Sequence, residues 1–508
     1  MTAAVPLRPV RRWIHRTQSA HRDRGETLGS IYFALLFLAV AGAILHRQLE
    51  AIFWPVDPQL SGLSASALGV LCGSLLLMAL RRIGPVSLSR PAAYFLLTAP
   101  VSRRRLLLPS VRLAAIAAAL AGAAAGFAVI GHTAFRDATP VPALTTAAAV
   151  IGVALFVLAA RAQNNTLRAT LIDRLAAVAL TVALAELVIE SAGWTPPTLT
   201  GRPTAGWVIP LTGALAVIVT AAFLLTVRGL AHTPNDRILE SAKTAGTLFD
   251  AAFGMEPSWI TDMIERRYWS HRRLRSARPP ARLPVLVGQD YQLATRRLPH
   301  LLWLAASTTL PLLLTSGPRW LLGLAILLGA MIAGGTTTAT VKTDAGNPFM
   351  LRLLGLTSRQ VLAQRLWIPT ATATAWSVTA LTLLQATGNL PAGPWPLLGL
   401  TLGPLAATAA IRRARVGFVR NDLLPLDTPM GTVSTGPLVN SLAGPDLLLL
   451  ALPTLVVLSF PSPLLWSTVF LQAALSLLTF RLYLTTSTSP TRLTLTPPLN
   501  PPPPPPPR

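Results

Sequence analysis

Residues 141–160 read VPALTTAAAVIGVALFVLAA, twenty residues without a charge, closed by Arg161. A helix rises about 1.5 Å per residue, so about 20 apolar residues cross a hydrocarbon core of about 30 Å. This run therefore reads as a membrane-spanning helix, and similar runs recur from end to end of the chain. We place spans near 29–45, 65–80, 111–130, 141–160, 175–192, 207–227, 299–316, 320–339, 367–386, 394–410, 446–460 and 463–480. The last two flank Phe460-Pro461-Ser462-Pro463 and are either two full spans or a re-entrant hairpin.

Composition agrees with that reading. Of 508 residues, 52% are hydrophobic and 12% charged, with a mean hydropathy of +0.54, whereas about a quarter of a soluble chain is charged. The single cysteine, Cys72, excludes both an internal disulfide framework and a CxxC metal site. Seven histidines form no HExxH or comparable ligand spacing.

A net charge of +24 invites a nucleic-acid reading, but the positions of the charges follow the membrane. Basic loops stay in the cytoplasm. With the N-terminus inside, 39 of the 43 Lys and Arg residues fall in cytoplasmic segments, and only Arg47, Arg136, Arg202 and Arg319 fall outside. Both termini are thus expected in the cytoplasm of a bacterial cell, with the protein in the cytoplasmic membrane. The first run is preceded by a long basic region and ends without a small-x-small cleavage site. It is expected to be retained as a span.

The longest polar stretch, 228–298, divides the chain into six spans plus six. The expected fold is all-α, a membrane protein of about twelve transmembrane helices in two pseudo-repeated halves. Residues 1–227 are the first half, 228–298 a basic cytoplasmic linker, 299–483 the second half and 484–508 a proline-rich tail. Within each half the loop after the second span carries a similar string. The first runs from Arg90-Pro91 through Ser102-Arg103-Arg104-Arg105 to Leu108, and the second from Asn347-Pro348 through Ser358-Arg359 to Leu362. Each starts at a proline, continues apolar, turns at a Ser-Arg pair, and runs past an arginine (Arg112, Arg365) into the third span. The two Ser-Arg pairs lie 256 residues apart, as a duplication would give. Each string suits a short helix on the cytoplasmic membrane surface, its leucines at the lipid and its arginines toward anionic headgroups. Two other readings are an ordinary basic loop and a contact that receives force from a soluble partner.

The string Leu96-Leu97-Thr98-Ala99-Pro100-Val101-Ser102-Arg103-Arg104-Arg105-Leu106-Leu107-Leu108 is similar to the segment that ABC type-2 exporter permeases carry between their second and third spans. The resemblance implies six spans per half, an interfacial N-terminal helix and a coupling helix at that loop which docks on a separately encoded ATPase. Residues 6–22, with Leu7, Val10 and Ile14 on one helical face, fit the interfacial helix. The stretch with Leu283, Val285, Leu286, Tyr291 and Leu293 is a looser counterpart before the seventh span. The loop Trp194 to Pro210 could re-enter the outer leaflet. ATPase-coupling residues would be Ser102, Arg103, Arg104, Arg105, Ser358 and Arg359. One arginine in the second half against three in the first implies unlike contacts on an ATPase dimer. No cofactor is expected on this chain, with ATP on the partner.

The residues of common chemistry are missing. A P-loop needs Gly-x-x-x-x-Gly-Lys-Ser/Thr, yet Lys243-Thr244 and Lys342-Thr343 follow Ala242 and Val341. The outer loops offer Glu50, Asp57, Asp137 and Glu190 with no Asp-x-Asp, so an enzyme is disfavoured. Glu186 is the one clearly intramembrane carboxyl, and reads either as a group near the outer headgroups or as part of a substrate path. Gly122-Ala123-Ala124-Ala125-Gly126 would let helices approach closely, which implies packing rather than function.

In the linker, Thr233-Pro234-Asn235-Asp236 reads as a capping box with proline at the first helical position. Ile264 to Arg275 mixes bases with Tyr268 and Trp269, which a juxtamembrane segment facing anionic lipid explains more simply than nucleic acid. The tail from Thr485 is Ser/Thr-rich and then polyproline. The reading favoured by the sequence is an exporter permease driven by a partner ATPase. The alternatives are a secondary, ion-coupled transporter and a membrane scaffold of an envelope or secretion assembly.

Overall fold

The computed structural model describes residues 13, 16–17, 24–55, 61–97, 99, 102–133, 140–191, 205–253, 258–270, 280, 282–315, 317–346, 351, 353–416, 426–428, 431–433, 435–460, 463–464 and 466–486. Most of the expected interfacial helix at 6–22, the loop 192–204, residues 98, 100 and 101 of the first string, residues 347–350 and 352 of the second, and the tail beyond Thr486 lie outside the described residues.

Helices dominate. The first half holds α1 (Arg24–Phe53), α2 (Gly62–Ile83), α3 (Arg90–Leu96), α4 (Arg103–Gly131), α5 (Pro140–Gln163), α6 (Thr166–Ser191) and α7 (Ala205–Gly229). The linker forms α8 (Asn235–Phe253) and α9 (Ser258–Ser270). The second half holds α10 (Val285–Arg296), α11 (Leu298–Ser307), α12 (Arg319–Gly335), α13 (Ala339–Gly346), α14 (Ser358–Arg365), α15 (Trp367–Ala386) and α16 (Trp395–Arg415), then α17 (Thr435–Leu442), α18 (Leu452–Ser459) and α19 (Trp466–Thr486). Short 3-10 segments at Leu310–Leu314 and Pro445–Ala451 extend α11 and precede α18. A small antiparallel ribbon pairs Leu426–Thr428 with Gly431–Val433.

Among the described residues, six helices are long and apolar enough to cross a membrane: Leu35–Phe53, Gly62–Ile83, Arg103–Gly131, Val141–Gln163, Gly206–His232 and Trp466–Thr486. The pair Arg319–Gly335 and Ala339–Ala345 adds a seventh if counted as one span bent by 66°. The protein is therefore a helical membrane protein. The remaining stretches read as spans are helical too, and differ for physical reasons. Helix α6 carries Arg168, Asp173, Arg174, Glu186 and Glu190. Helix α16 is the buried centre of the second half, with Leu398, Leu402, Leu405, Ala406, Ala407 and Ile411 wholly enclosed by protein. A helix wrapped by protein does not need a lipid-facing surface of high hydropathy. The seventh and eleventh stretches form shorter apolar helices, Leu298–Leu314 and Pro445–Ser459, with Pro311 and Pro453 where the geometry changes.

Neighbours follow the same order in the two halves. In the first, α2 packs on α4, α5 and α6, α4 on α5, and α5 on α6 and α7. In the second, α12 packs on α15, α16 and α18, α15 on α16, and α16 on the Pro445–Ala451 turn and α19. The tightest pairs, α4 with α5 and α15 with α16, meet through glycine. A Cβ on Gly122 would lie 2.4 Å from the Ala148 carbonyl oxygen, and one on Gly403 would lie 2.7 Å from the Thr374 Cα. The Gly122–Gly126 segment does bring helices together as small residues allow, and Gly399 with Gly403 plays that part in the other half. The halves meet where Leu313 packs on the α2–α6 cluster and Val188 of α6 packs on the second-half core.

Helix α8 begins at Asn235, with the Ile238 amide donating to the Pro234 carbonyl. The expected capping box does not form: the Thr233 hydroxyl is buried without a partner and its carbonyl instead accepts from Arg103. Proline sits just before the helix, one position earlier than the sequence pattern predicts.

Candidate functional site

The first of the two strings singled out in the sequence occupies the end of the bundle where α2, α5 and α7 finish and α4 begins. There α3 lies against α8, and Arg90 donates to Asp250 at 2.5 Å and to the Thr247 hydroxyl at 2.8 Å. Gly246 gives this arginine room, since a Cβ there would lie 2.4 Å from its Nε. Gln163 ties the end of α5 to Val86 and to Ser241 of α8. Ser102 stands at the N-cap position of α4 with an extended backbone and makes no side-chain capping bond. Arg103 is half-buried and donates to the Thr233 carbonyl, whereas Ser102, Arg104 and Arg105 are exposed. In the second half the cap is Thr357, whose hydroxyl and Gln360 form a capping box, and Ser358 and Arg359 beside it are exposed. The structure thus places both Ser-Arg pairs at the start of a helix leading into the third stretch of each half, one residue out of register with each other.

Glu186 is half-buried in α6 and has no hydrogen-bond or ion-pair partner among the described residues. Glu190, one turn on, accepts from the Ser64 hydroxyl of α2. Glu186 stands two residues before Val188, at the contact between the halves.

A cluster that the sequence reading missed lies at the same end of the second half. Asp290 on α10 and Arg365 at the end of α14 are each 2% exposed and pair at 2.5 Å. Arg365 also binds Asp344 at 2.8 Å and donates to Gln289 and the Leu286 carbonyl. Thr340 donates to the same Asp290 oxygen. One guanidinium is therefore shared by two carboxylates. Burial pushes the Asp290 carboxyl up to about 6, while Arg365 and Thr340 pull the other way and Asp344 adds to the rise.

Beside this cluster lies a cavity of about 440 Å³, within the range that small-molecule sites occupy. Its roof is α9, contributing Asp262, Glu265 and Tyr268. Its floor is the break between α12 and α13, with Thr336, Thr337 and Thr338, and its sides come from α10, α11 and α16. Helix α9 is fastened by Asp262 to Lys342 at 2.6 Å and by Glu265 to Arg297. Tyr268 stands edge-on to His300 and donates to the Arg296 carbonyl, and Trp269 lies 5.4 Å beneath Arg297. The aromatic residues read from the sequence as facing lipid are thus packed on protein, while Arg266 stays exposed. The signal that could have found this site was present. Lys342 and Arg365 are the bases of one short loop, and Asp262, Glu265 and Asp290 are carboxylates set among bases. Their charged partners, however, lie 21 to 80 residues away.

With this geometry in place, comparison with known families is informative about membership. Residues 58–416, more than half the chain, match a family of unknown function, DUF6297. The chain belongs to the DUF6297 family. The matched stretch contains every residue that lines the cavity and every residue of the Arg365 cluster. No curated protein and no solved structure matches this DUF6297 chain.

Proposed function

We propose that this protein is the membrane permease of an exporter driven by a separately encoded ATPase, built as twelve spans in two repeated six-span halves with both termini in the cytoplasm. The observation that carries the reading is the recurrence of helix neighbours: second on third, fourth and fifth, third on fourth, fourth on fifth and sixth, in each half. Two like bundles in one chain supply a path between them without a second copy. The short helix Arg90–Leu96 and the Arg104 and Arg105 beyond it sit where a soluble motor would be met, and Arg359 is their exposed counterpart. Anionic lipid headgroups would meet the remaining exposed arginines. Glu186, beside the contact between the halves, is the residue assigned to the substrate path.

The second reading, an ion-coupled carrier, draws on Asp290, a carboxyl that changes charge near neutral pH beside a cavity at a helix break. One experiment separates the two. The tagged protein is isolated in mild detergent, with and without Arg104→Glu/Arg105→Glu, and bound proteins are identified. Arg103 is left intact because it holds the linker. A nucleotide-binding ATPase that co-purifies with the native chain and is lost from the variant supports the permease. Transport by the purified protein alone, driven by an ion gradient, would replace that reading with the carrier.

A further inference from the structure

We propose that the cavity beneath α9 binds an anionic membrane lipid, an acyl segment lying on its apolar wall and the acidic head meeting Arg297 and Lys342. This inference stands apart from the permease reading and survives if that reading fails.

The wall decides the class of body. Leu293, Leu301, Met331, Ile332 and Ala410 line the cavity. Ile332 is 62% exposed and Leu328, one turn earlier on α12, is 44% exposed. The opening at Ile332 therefore lies on the apolar outer surface of the bundle, the surface that lipid tails cover, rather than on a polar rim. A ligand reaching it there comes from the membrane.

The charges decide the head. Each lining carboxylate is already met by a cation of the protein: Asp262 by Lys342, Glu265 by Arg297 and Asp290 by Arg365. A cationic ligand would have to displace one of these. The donors are less fully used. Arg297 gives one terminal nitrogen to the Thr336 carbonyl and the other to Glu265, but its Nε is buried without an acceptor. An unmet buried donor is unfavourable, and a phosphate oxygen supplies a charge-assisted acceptor. Two of the three Lys342 ammonium hydrogens are accounted for by the Asp262 carboxylate, leaving one.

A chain of charge +24 attracts anionic lipid over its whole surface, so the test must isolate the site. Lipid retained by the full chain in detergent is measured by native mass spectrometry after exposure to phosphatidylglycerol, to phosphatidylcholine or to inorganic phosphate. Ile332→Trp fills the opening without changing any charge, and Arg297→Gln removes the head contact. The expectation is one tightly retained phosphatidylglycerol in the native chain, with retention reduced about tenfold in each variant. Equal retention of phosphatidylcholine, or unaltered phosphatidylglycerol in Ile332→Trp, overturns the proposal. Thermal stabilisation by inorganic phosphate equal to that by phosphatidylglycerol also overturns it, in favour of a soluble anion.

Discussion

Replacing Asp290 by Asn keeps the shape of the side chain and removes the titrating group. The native carboxyl is held at about 6 against an ordinary 3.8, because it is buried and because its one cation is divided with Asp344. A folded-state value above the unfolded one means that the native state takes up the proton first. Stability from this group therefore falls as pH rises from about 4 to about 6, and acidification restores it. The full difference of about two units corresponds to on the order of 3 kcal/mol. Between pH 7 and 5, about 1 kcal/mol of that is gained. In detergent, the apparent melting temperature of the native chain should rise by roughly 1–2 °C from pH 7 to pH 5. Asp290→Asn should be flat over the same interval. A native chain that loses stability on acidification in this window, or an Asn variant with the same rise, would refute the account of Asp290.

Arg365→Met leaves the buried Asp290 and the half-buried Asp344 without their shared cation and should destabilise by about 3–5 kcal/mol, most strongly above pH 6, measured as loss of monodisperse protein on gel filtration. Gly403→Ala drives a methyl toward the Thr374 Cα and side chain and should cost about 1–3 kcal/mol in thermal unfolding, whereas Gly335→Ala, with open space around it, should be silent. Arg90→Ala loses a half-exposed ion pair to α8 and should cost no more than about 1 kcal/mol. For topology, Cys72→Ser chains carrying single cysteines at Ser102, Ser358 or Arg319 report sidedness. Impermeant maleimide added to intact cells should label only the Arg319 position, and labelling of either serine position would refute the twelve-span reading.

The helical membrane class was legible because it rests on a local property. A run such as 141–160 is apolar whatever surrounds it, and α5 closes at Gln163, within three residues of the expected end. The other stretches expected to span do not meet that local test, for the same reason. Helix α16 is enclosed by its neighbours and α6 carries charges that pair across helices, as Asp173 does with Arg81, so neither advertises a membrane by hydropathy alone. The Thr233 cap failed because a tertiary partner, Arg103, claimed the carbonyl and buried the residue. The cavity was invisible because its walls come from six helices and its ion pairs join residues far apart in the chain. Single basic residues in a loop look alike until the fold shows that Arg365 is enclosed and Arg359 is in the open.

The seam at which Leu313 packs on the α2–α6 cluster and Val188 on the second-half core has a mechanical consequence. Glycine-mediated packing makes α4 with α5, and α15 with α16, into stiff blocks, whereas this seam is thin. A thin seam between stiff blocks is where a hinge would lie, because rotation there would have little packing to undo. Helices α8 and α9, which touch each other and grip one half apiece through Arg90 and Lys342, would act as the leash that sets how far it opens.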